Sequence, residues 1–127
     1  MRLQELAQVL DLEELTPAGP GPATEDAGVV AGPEAGITRA YASDLLSDVL
    51  ANAPAGGILI TLQVHLNVIA VASHAGLRAV IFSCGRMPEA DVVEKAAEEG
   101  LALYVSRADT FDIAGRLYEL GLRGGSG

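Results

Sequence analysis

Apolar positions along this chain follow two alternating periods. Leu3, Leu6, Ala7 and Leu10 recur at i, i+3, i+4 and i+7, the spacing of one helical face, and predict a short amphipathic helix over about residues 2–10. Leu12 to Thr16 reads as a small strand. Thr16 to Pro22 (TPAGPGP) mixes prolines and glycines that forbid regular structure and predicts a surface loop. Between Ala23 and Gly36, Val29 and Val30 suit an edge strand, although glycines and Pro33 surround them.

After Gly36 the pattern becomes regular, and four strand and helix pairs follow. Ile37 to Ala42 reads as a strand, with Ser43 or Asp44 capping a helix that runs to about Asn52. Leu45, Leu46, Val49 and Leu50 mark its inner face, Ser47 and Asp48 its outer one. Pro54, Gly56 and Gly57 end that helix and turn the chain. Ile58 to Leu62 is the second strand, followed by a helix from about His65 to Ser73 closed by Gly76. Arg78 to Ser83 is the third strand. Its helix starts near Pro88, carries Val92, Val93, Ala96 and Ala97 as an apolar stripe, and stops at Gly100. Leu101 to Val105 is the fourth strand. Asp109 caps a final helix with Phe111, Ala114, Leu117 and Leu120 inward and Gly121 at its end. Strands alternating with short helices predict the α/β class, with a mostly parallel sheet built through right-handed crossovers.

Composition narrows this picture. At 127 residues, half of them apolar, the chain is one domain with a real core. We place that domain at residues 1–122 with a loop-rich insertion at 16–36, and read 123–127, which contains the GGSG run, as a flexible tail. The core must be largely aliphatic, since there are two Phe, three Tyr and no Trp. A formal net charge of −9 opposes nucleic acid and anionic membrane surfaces as partners. The single cysteine forms no internal disulfide, and no signal core or membrane-length apolar run is present, so a cytoplasmic location is expected.

Candidate chemistry gathers around Gly56 to Ala75 (GGILITLQVHLNVIAVASHA), a buried strand that ends in polar residues and feeds an apolar helix. In a parallel sheet the strand ends share one edge, where ligands usually sit. That edge collects Ser43 and Asp44, then Thr61, Gln63, His65 and Asn67, then Cys84 and Gly85, and lastly Ser106. Free N–H groups at helix starts there favour an anion or a polar small molecule. The plainer readings are capping for Ser43 and Asp44, a structural role for His65, a surface position for His74 and an inert buried thiol for Cys84. If Cys84 instead opens a helix, the dipole would activate its thiol. The two histidines do not have ligand spacing, and neither a metal nor a cofactor is expected. No GxxxxGK[ST] phosphate loop and no GxSxG elbow is present, and the only lysine, Lys95, lies in an acidic helix, so no enzyme activity is expected. The helix from His65 to Ser73 is apolar on nearly every side, which calls for cover from its own chain or from a second copy.

YASDLLSDVLANA from Tyr41, with ITLQVHLNVIAVAS, CGRMPEADVVEKAAEEG and TFDIAGRLYELG, resembles the DRTGG domain family in its small stand-alone form, over roughly Gly36 to Leu122. The motif that names the family falls at Glu34 to Ala40 (EAGITRA), where Thr38 matches and Arg39 and Ala40 replace the glycine pair. The resemblance implies a module similar to the N-terminal domain of HPr kinase/phosphorylase, without kinase activity. It also implies a regulatory role, self-association with a dimer favoured, and a place in signalling or iron hydrogenase systems. Together these readings give a non-catalytic regulatory module that binds a small anionic or nucleotide-like ligand and acts on a partner. The alternative is an adaptor subunit that docks on a signalling or redox enzyme complex without a ligand.

Overall fold

The computed structural model describes residues 1–16 and 36–124. The loop and edge strand expected at Pro17 to Ala35, and the last three residues of the expected tail, lie outside them. Among the described residues five helices, α1 (Leu3–Val9), α2 (Leu46–Asn52), α3 (Asn67–His74), α4 (Ala90–Glu98) and α5 (Thr110–Glu119), accompany β1 (Glu13–Glu14), β2 (Ala40–Ala42), β3 (Ile58–Thr61), β4 (Ala79–Phe82) and β5 (Ala102–Val105). The strands form one sheet in the order β1-β5-β4-β3-β2. β2 to β5 run parallel and β1 pairs antiparallel with β5, so the α/β class and the mostly parallel sheet are as expected.

Alternation along the strands divides the core into two layers, as a sheet covered on both faces requires. Ile58, Ile60, Ala79, Ile81 and Tyr104 face Leu3, Leu6 and Leu10 of the α1 region and Ile113 and Leu117 of α5. Leu59, Val80, Phe82, Leu103 and Val105 face Val49 of α2, Val68, Ile69 and Ala72 of α3, and Val92 and Ala96 of α4. Tyr104 and Phe82 are the largest fully buried side chains, one in each layer, and aliphatic residues fill the rest.

Several local expectations are corrected. Leu45 lies outside α2 as its extended N-cap and is 65% exposed, while Leu50 points about 100° away from buried Val49 and is also exposed. The inner face is therefore Leu46, Val49 and Ala53, spaced i, i+3 and i+7. Phe111 is 83% exposed, because Ile113 and Leu117 set the inner face of α5 and Phe111 is two residues, about 200°, from Ile113. Pro88 precedes the α4 N-cap, Glu89, and is itself buried. Ala97 is exposed, and α3 buries only Val68, Ile69 and Ala72. Gly100 and Gly121 follow helix ends with φ of 71° and 106°, where a residue without Cβ is favoured.

The ends of the described chain are held rather than loose. Met1 and Ile37 exchange backbone hydrogen bonds of 3.2 and 2.7 Å. Arg123 donates to the Thr38 carbonyl at 3.1 Å and accepts from the Ala40 N–H at 3.1 Å, so the chain beyond α5 is paired against the entry to β2.

Candidate functional site

Because β2 to β5 are parallel and nearly level, Ala42, Thr61, Phe82 and Val105 end at one edge of the sheet. The residues following them are the expected site residues, and the structure sorts them into structural ties and crevice walls.

Asp44 is a tie. Its Oδ1 accepts from the Thr61 hydroxyl at 2.9 Å and from the Leu62 N–H at 2.7 Å, while its carbonyl accepts from Gln63 Nε2 at 3.0 Å. It pins the β2–α2 loop to the end of β3 and does not cap α2, whose start has no side-chain cap. Ser43 does not cap it either: its Oγ accepts from the Leu45 N–H at 3.2 Å in a local turn. Thr61 is fully buried, and its hydroxyl also accepts from the Gln63 N–H at 3.1 Å. Nearby on α2, Asp48 accepts from the Tyr41 hydroxyl on both oxygens at 2.9 Å and from Asn52 at 2.8 Å. The Asn52 bond leads in holding the Asp48 carboxyl below its usual range, and the Asp48 bond leads in raising the Tyr41 phenol.

His65 performs the local capping that α3 otherwise lacks. Its Nδ1 accepts from the Asn67 N–H at 3.1 Å, so the neutral ring in this arrangement carries its proton on Nε2. Asn67 opens α3 and is exposed. Cys84 is exposed rather than buried, and it stands in a turn with φ of 59°, followed by Gly85 at 67°. α4 begins only at Ala90, so Cys84 is not at a helix start and the dipole argument for its thiol does not apply. The Cys84 and Gly85 N–H groups are consumed by the Ala108 and Ser106 carbonyls at 2.8 and 2.7 Å, which lock the β4–α4 turn to the β5–α5 loop. Ser83 and Thr110 share a hydroxyl bond of 2.7 Å behind that turn.

Among the described residues two crevices open at this edge, one on each side of Met87. The smaller, about 540 Å³, lies between the loops after β3 and β4 and is walled by Gln63, His65, Arg86, Glu89 and Asp91 with Val64, Leu66 and Val92. The larger, about 710 Å³, is walled by Gly85, Ser106, Arg107, Arg116, Asp11 and Glu13 over an apolar floor of Leu10, Leu12 and Val105. Gln63 and His65 thus share one crevice while Gly85 and Ser106 share the other, and Ser43, Asp44 and Thr61 line neither. Three of the chain's eight basic residues, Arg86, Arg107 and Arg116, border these crevices. The Arg86 and Arg107 side chains have no hydrogen-bond or ion-pair partner among the described residues. Arg116 donates to the Val9 carbonyl at 2.9 Å. Sequence reasoning missed all three arginines. The only signal for two of them is position, since Arg86 and Arg107 follow closely on the ends of β4 and β5. Among the described residues no group of His, Cys, Asp and Glu side chains is arranged to hold a metal ion. No helix among them is long and apolar enough to cross a membrane. Arg39 and Ala40, where the family motif departs from its glycines, stand before and at the start of β2, at the amino edge away from both crevices.

No protein-family model matches the chain, and no curated protein matches it in sequence. Among solved structures it is similar to the CBS and DRTGG domains of the regulatory region of Clostridium perfringens pyrophosphatase, solved with the activator diadenosine tetraphosphate. The TM-score is 0.64 at 15% identity, covering 91% of this chain and 45% of that one. The likeness is one of fold: a single α/β domain with a five-stranded, mostly parallel sheet and five helices, of the kind seen in that CBS and DRTGG region.

Proposed function

We propose that this domain is a non-catalytic regulatory module that binds a small anionic, nucleotide-like ligand in the larger carboxyl-edge crevice. The observation that carries the reading is the pair of guanidiniums, Arg107 and Arg116, brought to one opening of about 710 Å³ on a chain of net charge −9. That volume lies within the roughly 300–1,000 Å³ of small-molecule sites. Planar guanidinium donors suit phosphate oxygens, and the floor of Leu10, Leu12 and Val105 with Met87 at the lip suits an aromatic base. Asp11 and Glu13 balance the two arginines in formal charge, so binding depends on directed hydrogen bonds rather than on a bulk positive field. The non-catalytic reading is supported by the hydroxyl on this lining: Ser106 is buried, and its Oγ is engaged by the Ala108 N–H at 3.1 Å. The activator bound to the pyrophosphatase region of similar fold is a dinucleotide, which adds support for the ligand class.

The test is a thermal-unfolding panel with AMP, ADP, ATP, diadenosine tetraphosphate and pyrophosphate. A ligand at about 100 times its dissociation constant stabilises the folded state by about 2.7 kcal/mol, a shift of roughly 10 °C for a domain of this size. The shift should disappear in the Arg107→Ala/Arg116→Ala double variant and largely persist in His65→Ala, whose ring lines the neighbouring crevice. Flat melts across the panel would overturn the reading and favour the adaptor.

A further inference from the structure

The smaller crevice gathers charged groups that the fold itself does not use. Arg86, Glu89 and Asp91 on its wall are exposed, and their side chains have no hydrogen-bond or ion-pair partner among the described residues. Glu89 is the N-cap of α4, yet its side chain makes no capping bond. Gln63 and His65 are each held at one end only. Gln63 donates through Nε2 to the Asp44 carbonyl at 3.0 Å, which leaves Oε1 as an open acceptor. His65 accepts at Nδ1 from the Asn67 N–H at 3.1 Å, which leaves the Nε2 proton as an open donor. Val64, Leu66 and Met87 add apolar surface, Leu66 being 40% and Met87 55% exposed.

From this set we infer that the smaller crevice is a second ligand site, one for a free α-amino acid with an apolar side chain. The charges on the wall select that class. One guanidinium stands against two carboxylates, so a phosphate is opposed here more than in the larger crevice, where Arg107 and Arg116 balance Asp11 and Glu13. A zwitterion uses both signs at once. Its carboxylate takes paired donors from the Arg86 guanidinium, with the His65 Nε2–H as a third. Its ammonium brings three N–H donors, and the wall offers three acceptors in Glu89, Asp91 and Gln63 Oε1. The side chain then lies on Val64, Leu66 and Met87, whose exposed surface it removes from water. An opening of about 540 Å³ is within the roughly 300–1,000 Å³ of small-molecule sites, and a few polar groups on an apolar lining is their usual make-up. A ligand with only one of the two charged ends would cover the opposite set of wall charges and leave it unpaired, so both ends are required.

Isothermal titration calorimetry of the full chain with L-leucine, L-methionine and glycine, each taken to about 10 mM, tests this. Leucine and methionine should bind, and glycine, without a side chain to meet Leu66 and Met87, at least tenfold more weakly. On the same wild-type protein, 4-methylpentanoate lacks the ammonium and leucinamide lacks the carboxylate, and each should lose at least tenfold against leucine. Arg86→Ala and the Glu89→Gln/Asp91→Asn double variant should weaken leucine by a similar factor. Without ligand both should melt as the wild type does, because these side chains are exposed and make no bond among the described residues. Arg107→Ala, across Met87 in the larger crevice, should bind leucine unchanged. Absence of leucine and methionine binding in the wild type, an analogue that binds as well as leucine, or an Arg86→Ala chain of unchanged leucine affinity would each overturn the inference. Pyrophosphate and the nucleotides read the larger crevice separately, so either site stands or falls by itself.

Discussion

Replacing Asp44 by alanine separates a structural carboxylate from a ligand-binding one. Asp44 Oδ1 accepts two hydrogen bonds at once, from the buried Thr61 hydroxyl at 2.9 Å and from the Leu62 N–H at 2.7 Å. Bonds to a charged partner contribute about 1.5–3 kcal/mol each in buried settings. Asp44 is exposed to solvent, and water reaches the half-buried Leu62 N–H once the carboxylate is gone. Together these reduce the loss for the pair to about 2 kcal/mol. For a domain of this size that lowers the melting temperature by roughly 8 °C. Asp44→Asn keeps an oxygen acceptor in place and loses only the charge, so about half that drop is expected. Thermal and urea unfolding of the two variants beside the wild type give the comparison. An Asp44→Ala protein that melts within a degree of the wild type would refute the reasoning and return Asp44 to the candidate ligand set. Equal losses in both variants would show that charge, not the paired acceptor geometry, does the tying.

Burial, aided by the Glu14 carboxylate, pushes the Tyr104 phenol up to about 12. A phenol that ionises near 10 when unfolded and near 12 when folded leaves stability untouched below pH 10 and removes it as pH rises through 12, by at most about 2–3 kcal/mol. Urea midpoints measured from pH 8 to 12 should therefore fall less steeply for Tyr104→Phe than for the wild type; parallel curves would count against it. Gly57→Ala should cost about 1–3 kcal/mol by overpacking, since its Cβ would come within 3.0 Å of the Arg39 and Pro54 carbonyl oxygens. Gly36→Ala, with open space around it, serves as the control and should melt as the wild type does.

The sheet was legible because its signal is local. Four short apolar runs with β-branched residues, each followed by a helical stripe and a glycine, admit few arrangements other than parallel strands with crossovers. The same local signal misled where a helix is short. Over Leu45 to Leu50 the sequence offers four apolar side chains for one seven-residue helix, and only the true starting point, Leu46, decides that Val49 is buried while Leu45 and Leu50 are not. At Phe111 hydrophobicity alone pointed inward. Burial was instead settled by position on the helix: Ile113 and Leu117 join the layer of Ile58, Ile60 and Ile81, and Phe111 lies about 200° from Ile113.

The site was legible as an edge and not as a cavity, for a reason that lies in how parallel sheets are closed. Strand ends announce themselves in sequence, which is why Gln63, His65, Gly85 and Ser106 do border crevices. A crevice also needs a far wall, and that wall comes from elements remote in the chain. Asp11 and Glu13 reach the larger opening because β1 adds antiparallel to β5, and Arg116 is oriented there by a bond to Val9 across 107 residues. Nothing near Arg116 in sequence signals α1. Conversely, Asp44 and Thr61 have the polarity expected of ligand groups, yet they satisfy each other: with Oδ1 held by a buried hydroxyl and a backbone N–H, releasing it toward a ligand would leave the Thr61 hydroxyl without its acceptor. Residues whose hydrogen bonds close on themselves hold the rim in shape. The side chains without partners among the described residues, Arg86 and Arg107 foremost, are the ones left to meet something else.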